Sequence, residues 1–132
     1  MTTSLAGYEA IRNRWGTVIA LDGLATLACR ENDPSAAEQL LRRALDLALA
    51  ARGKWLALNV CAGLALVRAR QGRALRAVEL LGRVQTHPST EHSTRTRRIA
   101  PLLEELRVQL PAADFDGALA RGAELALNAV FD

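Results

Sequence analysis

The chain is almost without aromatic side chains: two Trp, one Tyr and two Phe stand among 132 residues, although half of the residues are apolar. Any core must therefore be built from Leu, Ala and Val, a set dominated by good helix formers. The β-branched residues are few and never alternate with polar ones over the length of a strand, so no sheet is predicted. No run of about 18 apolar residues occurs, which excludes a membrane-spanning helix of ordinary length. The first residues lack the basic-then-apolar pattern of a secretory signal. Cysteine is nearly absent too. Cys29 and Cys61 each fall on a helical apolar face, where buried free thiols acting as small hydrophobes are expected rather than a disulfide. That usage points to a reducing cytoplasm.

The constellations that carry chemistry are also missing. There is no Gly-rich loop to cradle a phosphate, no Cys/His cluster at metal-ligand spacing and no Gly-x-Ser-x-Gly elbow. His87 and His92 flank a Pro-containing turn with only Glu91 nearby, which reads as a solvated turn. Glu104-Glu105 face two sides of a helix, and Asp114 with Asp116 lie where a cap belongs; neither pair has a base partner. No catalytic residue, metal or cofactor is therefore assigned, and the chain is not read as an enzyme.

Net charge is only +3, but it is unevenly spread. Residues 66–98 carry eight Arg against Glu79 and Glu91, whereas residues 99–132 carry Arg107 and Arg121 against six acids. The cluster Arg95, Arg97, Arg98 has the charge to contact phosphates. It lacks the helix-turn-helix pattern, zinc motif or stacking aromatics that a nucleic-acid interface needs, so nucleic acid is not expected as the partner.

What the sequence does contain is a repeat. Gly23-Leu24-Ala25 returns as Gly63-Leu64-Ala65, 40 residues later. The same shift lays Leu5 on Leu45, Ala10 on Ala50, Arg12 on Arg52, Trp15 on Trp55, Arg30 on Arg70, Ala37 on Ala77, Leu40-Leu41 on Leu80-Leu81 and Arg43 on Arg83, giving 12 identities over residues 5–43. A fixed period between 20 and 50 residues marks a stack of repeated helical units. A single domain over residues 1–132 is long enough to bury a core without disulfide or metal.

Its predicted divisions follow the punctuation. Residues 4–12 form a leading half-pair closed at Asn13, as though the chain starts inside a repeat. Residues 15–51 form a first pair, with Leu21, Leu24, Ala25 and Ala28 on one stripe. Asp33 caps the second helix of that pair and Pro34 takes its first position; Ala37, Leu40, Leu41, Ala44 and Ala48 face inward. Residues 55–86 form the second pair, burying Leu58, Cys61, Leu64, Ala65, then Ala77, Leu80, Leu81 and Val84. Residues 89–132 form a degenerate pair and cap. There Ser89 or Thr90 caps a helix reaching Leu110, and Pro101 kinks it or delays its regular part. Phe115, Ala118, Leu119 and Gly122 share one face of the next helix, and a last short one holds Leu127, Val130 and Phe131. Trp15 and Trp55, one period apart, are read as wedges between repeats.

The pattern Leu24-Ala25, Ala37, Leu41, Ala44 resembles the tetratricopeptide repeat, as does Leu64-Ala65, Ala77, Leu81, Val84. The spacing of 40 differs from the 34 of that family, and Leu, Ala and Arg replace its aromatic positions. A narrower likeness rests on Arg14-Trp15-Gly16 with Ala20-Leu21-Asp22-Gly23-Leu24-Ala25, and on the stretch from His87-Pro88 through Leu102-Leu103-Glu104-Glu105-Leu106 to Ala120-Arg121-Gly122. These are similar to the C-terminal repeat region of bacterial signalling ATPases and LuxR-type transcriptional activators.

The resemblance implies an all-α, right-handed stack of antiparallel helix pairs, about six or seven helices with a variant C-terminal cap. It also implies that the first helix of each pair lines a concave groove. That groove would be formed by Asp22, Thr26 and Arg30 with Asn59, Leu66 and Arg70, two guanidiniums in register for an acidic peptide, a C-terminal carboxylate or a phosphorylated ligand. The function expected is a protein- or peptide-interaction module of a bacterial cytoplasmic signalling or transcriptional regulator. The alternatives are a homodimerisation element, with Leu5, Tyr8 and Ile11 as its face, and a domain sensing a small-molecule inducer.

Overall fold

Three short turns govern the architecture. A computed structural model describes the backbone of residues 2–125 and the side chains of residues 12–125. In it α1 (Thr2–Arg30), α2 (Pro34–Ala50), α3 (Lys54–Arg70) and α4 (Ala74–Thr86) are joined by three-residue connections. Each connection is the same loop. The N–H groups of Asp33, Gly53 and Arg73 reach back to the C=O groups of Ala28, Ala48 and Arg68 at 2.9, 2.9 and 2.8 Å. The residue before each, Asn32, Arg52 or Gly72, takes positive φ and bonds three residues back. These are Schellman loops, which satisfy the last carbonyls of a helix and reverse the chain. The loop recurs every 20 residues, so the 40-residue sequence period contains two structural units. Asp33 caps α2 as expected, accepting from the Ala36 N–H at 3.1 Å, with Pro34 opening the helix.

Asn13 does not end a helix. α1 is continuous for 29 residues, so the separate half-pair predicted over 4–12 is the first part of α1. Asn costs a helix interior only about 0.7 kcal/mol, and the Thr17 hydroxyl donates to the Asn13 carbonyl at 2.9 Å within an unbroken turn. The side chains of Leu5, Tyr8 and Ile11 lie outside the described residues.

α5 is a composite. It opens at His92–Thr94, widens into a π-turn over Arg95–Ile99 and continues as a regular helix over Ala100–Gln109. The cause is Pro101, which has no N–H and whose ring collides with the carbonyl four residues back, that of Arg97. The preceding turn opens so that the Ala100 N–H bonds five residues back, to Arg95. Neither Ser89 nor Thr90 caps α5. The Thr90 hydroxyl instead donates to the Val84 carbonyl at 2.6 Å, and the Ser89 N–H donates to His87 Nδ1 at 3.0 Å. The end of α4 competes for these groups and wins.

α6 (Ala112–Glu124) buries Phe115, Ala118 and Gly122 against α4. A Cβ at Gly122 would overlap the Glu79 carbonyl, and one at Gly82 would stand 2.6 Å from the Leu119 carbonyl. The two backbones therefore cross in direct contact, which only Gly permits at both positions. Leu127, Val130 and Phe131 lie outside the described residues.

All six helices pack on one core, and no strand occurs among the described residues. α3 is the central helix, buried on nearly every side between α1, α2 and α4. Trp15 and Trp55 meet edge to face, ring centroids 6.0 Å apart at 76°. Gly53 makes room for them, since a Cβ there would lie 3.2 Å from Trp15 Nε1. Cys29 and Cys61 are both free and buried. One expected core residue is misplaced: Leu24 points outward, 53% exposed, because no helix lies on that side of α1 among the described residues. No described helix is long and apolar enough to cross a membrane.

Candidate binding site

The π-turn of α5 decides what meets α1 and α3. It divides the Arg95, Arg97, Arg98 cluster among three tasks. Arg95 is structural, its guanidinium donating to the carbonyls of Gln85, His87 and Thr90 at 3.2, 2.9 and 2.8 Å. That closes the C-terminal end of α4, where a cation is favourable. Arg98 turns the other way. Its Nη2 donates to Asp22 Oδ1 at 2.9 Å, and its Nη1 to the Asn59 carbonyl at 2.8 Å. Asn59 Nδ2 donates to the second Asp22 oxygen at 3.2 Å, while Asn59 Oδ1 accepts from Thr94 at 3.1 Å. Asp22 on α1, Asn59 on α3 and Arg98 on α5 thus form one satisfied polar knot between three helices. Gly63 allows it, because a Cβ there would come within 3.2 Å of Arg98 Nη1.

Beside the knot lies a pocket of about 290 Å³. Ala25, Cys29, Leu41, Ala62, Leu66 and Leu102 supply its apolar walls, and Arg70, Arg97, Arg98, Asp22 and Glu105 its charged rim. Arg70 Nη1 stands 3.1 Å from Glu105 Oε1, with both side chains about two-fifths exposed (44% and 39%). An exposed pair of this kind contributes about 1 kcal/mol at most, so Arg70 is free to turn to a ligand. Arg97 is exposed and takes part in none of the ion pairs formed among the described residues. With Arg98 matched by Asp22 and Arg70 by Glu105, Arg97 leaves the rim with one unmatched positive charge.

Of the groove residues expected from the sequence, Asp22, Thr26, Leu66 and Arg70 line this pocket. Asn59 sits behind it, within the knot. Arg30 is exposed at the end of α1 and does not line it, so the two guanidiniums of the repeat do not share the pocket. The residues that sequence reasoning missed are those of α5: Arg97, Arg98, Pro101 and Glu105. The Arg cluster and Pro101 were visible as signals, but a contact spanning 76 residues between Arg98 and Asp22 has no periodic signature.

Burial pushes the Cys29 thiol above its ordinary value, more than Arg70 and Arg98 draw it down. The Cys61 thiol is pushed up to about 12 by burial alone. Both stay protonated near neutral pH, which removes their nucleophilic form. Burial lowers the His87 pKa, with help from Arg83 and Lys54; a neutral ring suits the hydrogen bond that it accepts from Ser89. Among the described residues no three His, Cys, Asp or Glu side chains gather where a metal could be held. Comparison with family models, curated proteins and solved structures returned no match for this chain.

Proposed function

We propose that this chain is a non-enzymatic binding module, a tetratricopeptide-like stack whose pocket between α1, α3 and α5 takes one anionic anchor of a protein or peptide. The observation that carries this reading is the unmatched Arg97 beside the loosely paired Arg70, over an apolar-walled pocket. Ligand pockets run from about 300 to 1,000 Å³, so 290 Å³ suits one residue of a peptide rather than an extended segment. A terminal carboxylate with its apolar side chain matches both the rim and the walls, and Arg forks are well shaped for carboxylates. The setting we infer, a bacterial cytoplasmic signalling or transcriptional regulator, rests on the likeness of packing residues alone.

The test is a calorimetric titration with a peptide pool ending in free carboxylates, beside the same pool amidated at its C-termini. The free acids should bind, amidation should abolish binding, and Arg97→Ala or Arg70→Ala should weaken it about tenfold or more, as loss of a hydrogen bond to a charged group implies. Binding indifferent to amidation and to both substitutions would contradict the reading. The same titration with N-acetyl amino acids addresses the small-molecule alternative. Binding as tight as that of the peptides would make this a sensor pocket.

A further inference from the structure

Two acids stand on the rim of the pocket, Asp22 and Glu105, and only one of them is tied down. Asp22 is fixed: its two oxygens accept from Arg98 at 2.9 Å and from Asn59 at 3.2 Å, and its side chain is 12% exposed. Glu105 is 39% exposed and meets Arg70 through a single contact, one Nη1 to one Oε1 at 3.1 Å. It is the acid that an entering ligand has to reckon with.

α5 lines the pocket with Arg97, Pro101 and Glu105 at steps of four residues. About 12 Å of helix axis, at about 1.5 Å per residue, therefore separates the unmatched cation from the acid. Arg70 reaches in from α3 beside Glu105. An anion that takes up Arg70 at the usual charged hydrogen-bond distance of about 2.8 Å comes within about 6 Å of Glu105, because the Arg70–Glu105 contact is itself 3.1 Å. Like charges that close repel, and the energy grows in proportion to the charge brought in. Three guanidiniums, Arg70, Arg97 and Arg98, stand against two carboxylates, Asp22 and Glu105, so the rim is positive by one. A carboxylate ligand neutralises that charge. A phosphomonoester brings about 1.5 to 2 negative charges at neutral pH and overshoots it.

We infer that Glu105 selects the anion: it restricts the pocket to a monoanionic carboxylate and refuses a phosphomonoester. The selection rests on the proposed function, since it requires that the Arg70 and Arg97 side of the pocket takes an anion. Glu105 also gives Arg70 an internal carboxylate, whose place the ligand's own carboxylate takes.

The test compares the full chain with Glu105→Gln and Glu104→Gln. Glu104 is the control: its loss changes the net charge equally, but it is 77% exposed, stands by Arg107 and does not line the pocket. The probes are isovalerate and isobutyl phosphate, which share one apolar group and differ in the anion, titrated by NMR at pH 8. The unsubstituted chain should prefer isovalerate by about threefold or more, the scale of an exposed charge pair. Glu105→Gln should tighten both probes and abolish the preference, whereas Glu104→Gln should keep it. A chain that prefers isobutyl phosphate, or a preference unmoved by Glu105→Gln, overturns the selection and leaves the anion pocket standing.

A second readout needs no bound ligand. Cys29 lies in the pocket wall, while Cys61 is fully buried. The rates at which Cys29 reacts with an anionic and a cationic thiosulfonate report the charge at the pocket, and their ratio cancels the thiolate fraction. Glu105→Gln should raise the anion-to-cation ratio by about threefold or more, and Glu104→Gln should leave it unchanged. An unmoved ratio overturns the selection even where neither probe binds. A raised ratio with neither probe bound overturns the proposed function, and the selection with it.

Discussion

Gly23-Leu24-Ala25 and Gly63-Leu64-Ala65 are the same three residues on two helices, and they lead different lives. Ala25 and Ala65 are both buried, facing the partner helix of their own pair. Leu24 is 53% exposed and Leu64 is 5% exposed. Gly23 meets nothing, whereas Gly63 is pressed by Leu41 and by the Arg98 guanidinium. The repeat specifies a helix, a Schellman loop and one inward face. Whether the other face is core or surface depends on the neighbour that follows or precedes. α3 has α2 and α5 on that side; among the described residues α1 has neither.

The sharpest way to expose the difference is to truncate both leucines. Leu64→Ala should cost about 3 kcal/mol, as for a buried Leu that leaves a cavity. Leu24→Ala should cost below about 1 kcal/mol when measured in dilute, monomeric protein. Urea unfolding of the two variants checks this, and equal losses would break the comparison.

A second difference is electrostatic. Glu38 on α2 accepts from Arg68 of α3, from Gln71 at 3.0 Å and from Arg42 at 3.2 Å. One period along, Glu38 corresponds to Val78, and one period back Arg68 corresponds to Ala28, so only the α2–α3 junction carries this ion pair. The hydrogen bonds from Arg68 and Gln71 lower the Glu38 pKa from 4.5 to about 2. A carboxylate whose pKa is depressed by folding adds stability above its unfolded value and loses it as pH falls through the folded one. The contribution is thus whole above pH 4.5 and disappears toward pH 2. Glu38→Gln should lower stability by about 2 kcal/mol at pH 7, in the range for hydrogen bonds to charged groups. The gap between wild type and variant should close between pH 4.5 and pH 2; a gap constant over that range would remove Glu38 from the junction.

The smallest effect carries the cleanest sign. Gly23→Ala should stabilise the dilute protein by about 0.5–1 kcal/mol, because Ala is the better helix former and the site is open. Gly63→Ala should destabilise by about 1 kcal/mol or more, since the added methyl crowds Leu41 and Arg98. Two thermal melts decide it, and shifts of the same sign would erase the contrast.

These particulars mark what the sequence discloses. Helices, turns and the inward faces of α2, α3 and α4 are local matters, and spacing with Asp33, Pro34 and Gly72 announces them. The outward turn of Leu24 was not legible, because periodicity assigns a residue to a stripe without saying whether another helix covers it. The continuity of α1 was misread because Asn13 tolerates both a turn and a helix interior. At the pocket, the contributions of α1 and α3 follow from the repeat. The α5 side does not, since it depends on how a Pro-induced π-turn aims Arg97 and Arg98 at residues far away in sequence.

The central claim, that one repeat face is open on α1 and closed on α3, is tested most directly by thiol labelling. Leu24→Cys and Leu64→Cys would each be placed in the chain and their reaction with a thiol reagent followed in dilute protein, where the fully buried Cys61 serves as a slow internal reference and the pocket-lining Cys29 is measured separately in the unsubstituted chain. The expected result is rapid labelling after Leu24→Cys, and labelling after Leu64→Cys only as slowly as the protein unfolds. Equal rates at the two positions would contradict the account.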